Sequence, residues 1–344
     1  MSQTRLEEIS EWLAAHGEPA FRARQLQAAW YSAKDWSEVT VFGKELRDQL
    51  AAKFPWIIFP EVKVLTSKKD GSKKALVTLP DDLKTEVVWM PNARDKRTVC
   101  VSSQVGCAMA CTFCATGTMG LKRNLTVDEI VDQVRYFRFT EAEPISNIVF
   151  MGMGEPMANY DAVKTAALTF VNDMEIGPTR ITISTVGIPT GLNRFLNDDE
   201  LPAVRVALSL HAGTDEMRAK LVPMHRGTSI AQLSEWVDAY LEKRGNRRHH
   251  LTLEYVMLKG VNDTPEEAAA VAKNFARFGS QVKLNLIPWN PIHAQMDSSS
   301  QERLEAFQEI TENRGLPTTI RYSKGLDIDA ACGQLVVNDA APAE

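Results

Sequence analysis

Three cysteines, Cys107, Cys111 and Cys114, stand in a Cys-x-x-x-Cys-x-x-Cys arrangement directly after the apolar run Thr98-Val99-Cys100-Val101. Thiolates this close in sequence can converge on one inorganic centre. An iron–sulfur cubane usually takes four cysteines, one per iron, so a trio with no fourth cysteine beside it leaves one iron able to bind something else. The alternative is tetrahedral zinc, which wants a fourth ligand and more often shows paired Cys-x-x-Cys units. Two of the five cysteines remain, Cys100 and the distant Cys332. Free cysteine packs like a small hydrophobe, which is the plain reading of Cys100. Cys332 follows Asp327 and Asp329 and precedes Gly333 in a loop after the last strand. Loop thiols are commonly placed for reaction.

Other loops add polar groups. Gly152-Met153-Gly154-Glu155-Pro156 lacks the third glycine of a dinucleotide loop, since position 157 is Met, and a Rossmann reading is discounted. A glycine pair followed by an acid suits close backbone approach to a small zwitterion whose ammonium donates to Glu155. A plain tight turn after a buried strand is equally compatible. His211, after Ser209 and Leu210, is one of six histidines and reads as a satisfied polar residue at a strand end or as a ligand contact. Asn290, between Trp289 and Pro291, can bond a sugar hydroxyl or an adenine edge, or satisfy its own turn.

The elements that must position these groups follow from periodicity. Residues 1–54 read as short helices, with Leu6, Ile9 and Leu13 at helical spacing, then a second helix from Phe21 to Trp30 after the break at Gly17 and Pro19. Trp12, Phe21, Trp30, Tyr31, Trp36 and Phe42 are expected to pack this small domain. Alternating runs from Val62 to Leu65 and from Leu76 to Leu79 flank Asp70-Gly71, a hairpin-turn signal whose tip carries Lys68, Lys69, Lys73 and Lys74. From about Arg97 the pattern becomes strand, loop, helix, repeated. Strands are read at 98–102, 147–151, 180–184, 204–208, 252–257 and 283–287, with a short one at 318–322. Thr126 to Glu129 is a capping box, and Thr264-Pro265-Glu266-Glu267 combines a cap, a first-turn proline and a reciprocal acid. Six such repeats imply an α/β fold, a parallel sheet with helices outside. Chemistry then gathers at the carboxyl ends of the strands, where the loops carrying Cys107, Glu155, Ser184, His211 and Asn290 converge.

A chain of 344 residues suits one large core plus a small accessory unit, and 44% hydrophobic with 24% charged residues is ordinary for a soluble protein. No run nears the roughly 18 apolar residues of a membrane span, and the start has neither the basic end nor the apolar stretch of a secretion signal. A cytoplasmic protein with no membrane partner is expected, using its thiols for chemistry rather than as a disulfide scaffold. The net charge of -5 gives no global attraction to nucleic acid, so such binding would rely on local basic patches at 68–74, 122–123 and 243–250.

The three-cysteine motif resembles the signature of radical S-adenosylmethionine (SAM) enzymes. The wider set is similar to the RlmN group of adenine carbon-2 RNA methyltransferases: Ser102 to Cys107, Gly152 to Pro156, Ser209-Leu210-His211, Ile287 to Pro291, and Asp329 to Leu335. The likeness runs over nearly the whole chain. The cysteine trio alone identifies only the superfamily, whereas its combination with the Cys332 segment is far more specific. The resemblance implies a partial (βα)6 radical SAM barrel at 96–335, preceded by a small helical N-terminal RNA-binding domain at 1–54 and a β-hairpin connector at 55–95, and followed by a tail at 336–344. It implies a 4Fe-4S cluster on Cys107, Cys111 and Cys114, with SAM chelating the open iron. SAM contacts carry over to Gly154, Glu155, Ser184, Ser209, Leu210, His211 and Asn290, and a proton-accepting glutamate falls on Glu86.

Carbon 2 of adenine lies between two electron-withdrawing nitrogens and cannot take a methyl cation directly, so a radical route is required. In the mechanism the resemblance implies, the Cys332 thiolate takes methyl from one SAM, and reductive cleavage of a second, two per turnover, gives a radical that removes hydrogen from that methyl. The carbon radical adds to adenine. Cys100 then resolves the protein–RNA adduct by forming a disulfide with Cys332, which external reductant restores. The implied partners are 23S rRNA at the peptidyl-transferase region, tRNA at the adenosine beside the anticodon, an external electron donor and a thiol reductant, with the enzyme a monomer. Carbon-8 methylation of the same rRNA adenine, as in related antibiotic-resistance enzymes, shares these cysteines. A non-catalytic zinc-holding RNA-binding protein is the other alternative, and it leaves Cys332 unexplained.

Overall fold

The computed structural model describes residues 3–92, 96–225, 228–245, 251–292 and 295–337, so most of the basic run at 243–250 and the end of the tail lie outside the described residues. The chain opens with helices α1 (Arg5–Ala15), α2 (Phe21–Trp30) and α3 (Lys44–Lys53). A capping box starts α1, in which Thr4 and Glu7 exchange side-chain to backbone bonds. The helices bury Ile9, Leu13, Leu26, Trp30 and Leu50 against Trp36, Phe42 and Trp56. Phe21, expected inside, is 44% exposed. The stripe through Leu26 and Trp30 continues back to position 22, and Phe21 is turned about 100° away from it. Trp12 and Tyr31 pack at the edge of this core.

Next come β1 (Glu61–Thr66), β2 (Lys73–Thr78), β3 (Lys84–Asn92) and β4 (Lys96–Cys100), an antiparallel series. No strand was read from the sequence at β3, because its five consecutive buried residues and Pro91 break the alternation that marks a hairpin arm. A small ladder of β5 (Gln104–Val105) with β6 (Arg123–Asn124) then encloses the cysteine loop and the single turn α4 (Ala115–Thr118). The repeats follow as α5 (Val127–Thr140), β7 (Asn147–Phe150), α6 (Tyr160–Asn172), β8 (Ile181–Thr185), α7 (Pro189–Asn197), β9 (Arg205–Ser209), α8 (Asp215–Leu221), α9 (Ile230–Arg244), β10 (Leu251–Met257), α10 (Pro265–Phe275), β11 (Val282–Pro288), α11 (Gln301–Glu312) and β12 (Thr318–Ile320).

All but β5 and β6 join one ten-stranded sheet in the order β1-β2-β3-β4-β7-β8-β9-β10-β11-β12. Every pairing from β4 onward is parallel. The α/β class and the six strand–helix units are as expected, and the sheet ends on β1 and β12. The capping box at Thr126 and Glu129 forms as expected. At α10 only half of it does: Thr264 accepts the Glu267 N–H, while the Glu267 carboxylate turns away to Gly213 N–H and the Thr214 hydroxyl. That acid fastens α10 to the loop after β9.

The helical unit is joined to the sheet through α5. Asp132, 1% exposed, lies 2.6 Å from both Arg5 and Arg135. Arg135 stacks 4.3 Å from the Trp30 ring and donates to the Trp30 and Trp56 carbonyls. Buried charges persist only when paired and hydrogen-bonded in this way. Among the described residues no helix is long and apolar enough to cross a membrane. Trp30, 1% exposed, anchors the tryptophan trio. Trp30→Ala should therefore lower stability by about 3–5 kcal/mol in urea unfolding, and a loss under about 1 kcal/mol would contradict this packing.

Candidate active site

The loop between β4 and α5 is shaped by residues that few side chains could replace. Gly106 has φ +74°, and a Cβ there would lie 1.9 Å from the Gly120 carbonyl oxygen. Ala110, between the first two cysteines, is also left-handed at φ +52°. Three contacts pin the loop to other elements: the Thr112 N–H on Leu221 of α8, the Trp289 indole N–H on the Phe113 carbonyl, and the Ala115 N–H on the Gly333 carbonyl. The three thiols are buried or half-buried, and burial pushes Cys107 up to about 12 and raises Cys111 and Cys114. A coordinating metal deprotonates a thiol outright, so a bound centre would hold these as thiolates despite their burial. Among the described residues no group of His, Cys, Asp and Glu is drawn together as a single-ion site. The three sulfurs line one cleft instead.

That cleft, with about 940 Å³ of empty space partly open to solvent, lies at the carboxyl ends of the parallel strands. Gly154, Glu155, Ser184, Ser209, His211, Asn290 and Cys332 all line it with the cysteine trio. Gly154 has φ +97°, and a Cβ there would meet Gln104 at 2.5 Å, so only glycine lets β7 feed into this wall. Glu155 is 3% exposed, and its two oxygens accept from Met157 and Val186 N–H at 3.0 and 2.9 Å. It staples the loops after β7 and β8; burial raises its pKa against those bonds and one from the Thr185 side chain. Ser184 and Ser209 hydroxyls are 3.3 Å apart. His211 is left-handed at φ +59°, and its Nδ1 accepts from Val256 N–H at 3.1 Å. Burial drives it down to about 3, so the ring is neutral and its Nε2 carries the proton.

The Cys332 segment returns across this end of the sheet. Asn290 Nδ2 donates to the Cys332 carbonyl at 2.8 Å, Gln334 to Pro291, and the Thr116 hydroxyl to Leu335. Cys332 also lines a second cavity, which shares Met151, Arg321 and Cys332 with the first and has Cys100 in its wall. Cys332 thus stands between the cleft of the cysteine trio and the cavity of Cys100. All five cysteines are free, so the disulfide implied for Cys100 and Cys332 is not formed in this structure. Burial, with Cys332 adding to it, pushes Cys100 up to about 12.

Two expected site residues line neither cavity. The Leu210 side chain is fully buried in the core, and its carbonyl accepts from Arg218. Glu86, 2% exposed on β3, lies 3.1 Å from Lys74 and accepts the Val336 N–H at 2.9 Å, so its carboxylate holds the segment that carries Cys332. Burial raises its pKa, opposed by Lys74. The hairpin tip is likewise engaged. Lys73 pairs with Glu141 at 2.7 Å and Lys74 with Glu86, leaving Lys68 and Lys69 as the exposed lysines, while Asp70 accepts the Gly325 N–H and Ser67 donates to Asp327. Three charged residues at the site escaped the sequence reading. Glu254 and Arg321 line the cleft with 3.6 Å between them, and Arg218 lies behind it. Glu254 lies within β10, Arg218 within the charged helix α8 and Arg321 just past β12, with no motif to mark them.

Parallel βα units with a cysteine trio at the strand ends define a class. Residues 101–272 match the family model described as the radical SAM superfamily. A crystal structure of a radical SAM methyltransferase from Sphaerobacter thermophilus superimposes with a TM-score of 0.87, at 41% identity over 97% of each chain. The chain is also 41% identical over 346 residues to a probable dual-specificity RNA methyltransferase RlmN of Thermus thermophilus, covering 98% of this chain and 94% of that one. For the like-named protein of a Picosynechococcus species the identity is 40% over 336 residues, covering 97% and 94%. The chain therefore belongs to the RlmN family of the radical SAM superfamily, and it is a methyltransferase of that class. The family implies a 4Fe-4S cluster and SAM. Three desolvated thiols on the rim of a largely apolar cleft that also presents Gly154, Glu155, Ser184, Ser209 and Asn290 fit them.

Cys100 is protonated at neutral pH by burial. Its alkylation by iodoacetamide, followed by peptide mass spectrometry, should rise about tenfold per pH unit between pH 7 and 9, and a flat profile would contradict the raised pKa.

Proposed function

We propose that this enzyme methylates carbon 2 of an adenine in the peptidyl-transferase region of 23S rRNA and of the adenine beside the anticodon in tRNA, with Cys332 as the methyl carrier. The observation that carries the reading is the place of Cys332 between two cavities, one lined by Cys107, Cys111, Cys114 and Glu155 and the other by Cys100. Relatives named as dual-specificity RNA methyltransferases support the choice of substrates. When bound, a cluster on the three cysteines with SAM at its open iron supplies one-electron cleavage of the sulfonium, and so a means of taking hydrogen from an unactivated methyl group.

The chain's own groups do the rest. Glu155, Ser184, Ser209, Asn290 and the neutral His211 bind and orient SAM, and the main chains of Gly154 and Leu210 let it approach closely. Cys332 as thiolate takes the methyl of a first SAM, leaving S-adenosylhomocysteine; a second SAM is consumed per turnover. Once one hydrogen has been taken from that methyl group, Cys332 carries the carbon to the base and is joined to it, and the adduct gives up one electron as it loses its carbon-2 proton. Glu86 accepts the carbon-2 proton once the Val336 N–H has left its carboxylate, and its raised pKa makes it the stronger base. Cys100, deprotonated in turn, attacks the Cys332 sulfur; the S–C bond breaks, the departing carbon keeps the electron pair and takes up a proton to become the methyl group, and a transient disulfide is left for an external thiol to reduce. An external donor supplies the electron.

We assign RNA binding to the helical unit at 1–54 and to Lys68 and Lys69 on the connector at 55–95, with catalysis in 96–335 and the tail at 336–344 beyond it. The enzyme works as a monomer in the cytoplasm, where a reducing milieu keeps Cys100 and Cys332 from staying oxidised between turnovers. Cys332→Ala should abolish methyl transfer while the protein still takes up iron and sulfide, and Cys100→Ala should accumulate an RNA-linked protein on denaturing gels. Mass spectrometry of nucleosides from treated RNA should reveal 2-methyladenosine. Turnover by Cys332→Ala would reject the carrier role, and 8-methyladenosine as the product would overturn the regiochemistry.

A further inference from the structure

Arg218, on α8, is wholly buried. Its polar contacts are main-chain carbonyls at the ends of β8 and β9: Nε donates to Leu210, and Nη2 to Val186 and Ser209. Nη1 is buried with no hydrogen-bond partner among the described residues. The nearby acids are occupied elsewhere. Glu155 holds the Met157 and Val186 N–H groups, and an Asp215 oxygen takes the Ile230 N–H. A desolvated cation with an idle donor and no carboxylate bonded to it is costly, and such residues persist where something else supplies the opposite charge.

The position says what that is. The loops carrying Val186 and Ser209 line the cleft, and α8 bonds through Leu221 to Thr112, between Cys111 and Cys114. Burial pushes Arg218 down to about 10, and of the groups that oppose this, Cys111, Asp215 and Glu155, the first is the largest. We propose that Arg218 is the fixed counter-charge of the inorganic centre on Cys107, Cys111 and Cys114, and that it favours the one-electron-reduced form of that centre. The inference rests on the reading that these thiols hold a 4Fe-4S cluster. A cubane on three thiolates is anionic, and an added electron makes it more so, so a cation in the low-dielectric wall stabilises the reduced form more than the oxidised one. The electron comes from the external donor. Arg218 exchanges neither electron nor proton and is a positioning residue.

The test uses full-length wild type, Arg218→Met and Arg218→Lys, each reconstituted without oxygen with ferrous iron and sulfide and assayed for both before a redox titration followed by electron paramagnetic resonance. Arg218→Met, once loaded, should titrate at a lower midpoint, with the equilibrium for reduction reduced at least tenfold, a shift of ~59 mV or more for one electron. Arg218→Lys, which keeps the charge but loses the guanidinium fork, should stay within a third of that shift. A loaded Met variant at the wild-type midpoint, or a Lys variant displaced as far as Met, would make Arg218 a mere tie between strand ends and overturn the proposal. Should the Met variant fail to fold, Arg218→Gln, which is neutral but keeps a polar side chain, takes its place in the same titration, a lowered midpoint supporting the proposal and an unmoved one overturning it. Wild-type protein that takes up no iron and sulfide would instead overturn the reading of the cysteine trio.

Discussion

Removal of ionisable groups from water at one end of a parallel sheet is the constraint around which this molecule is organised. Burial is the largest influence on Cys100, Cys107, Cys111, Cys114, Glu155, His211 and Arg218. Each is driven toward its neutral form unless a neighbour replaces the lost hydration. The fold supplies those neighbours from several directions, because the carboxyl ends of the strands deliver one loop apiece to a common point. Glu155 keeps its place through main-chain N–H groups of two loops, and His211 through the backbone of β10. The result is a dry, preorganised rim in which a thiol can be spared solvent without being spared a partner.

The helical amino-terminal unit is tied to that rim by a short covalent path. Helix α5 begins directly after the cysteine loop and its closing ladder, and along its length it presents Asp132 and Arg135 to the tryptophan trio. Movement of the helical unit would be felt first by α5, and through it by the loop that bears the three thiols.

Much of this was legible in the sequence. The parallel strands announced themselves through runs such as Asn147 to Phe150 and Lys283 to Ile287, and the cysteine spacing narrowed the chemistry to an inorganic centre that the wider set of motifs then tied to a family. What was hidden is what depends on partners remote in sequence. Arg218 sits in Asp215-Glu216-Met217-Arg218-Ala219-Lys220, which reads as a solvated helix face, and only the packing of α8 against two strand ends reveals that it is buried. Lys73 and Lys74 looked like part of a free basic tip, yet their carboxylate partners come from α5 and β3. Leu210 entered through a motif whose flanking residues face the cleft while its own side chain, by strand alternation, faces the core. Glu86 lies on a strand whose buried face has no two-residue period to betray it.

The returning segment spans an unusually long stretch of chain. Asp70 meets Gly325 across 255 positions, and Glu86 meets Val336 across 250. Contacts so far apart carry a large loop-closure entropy, offset only where β2 and β3 are already held in the sheet. The wall of the cleft that carries Cys332 is therefore the part most sensitive to loosening at the antiparallel edge, and a fault in that edge is felt at the far end of the chain.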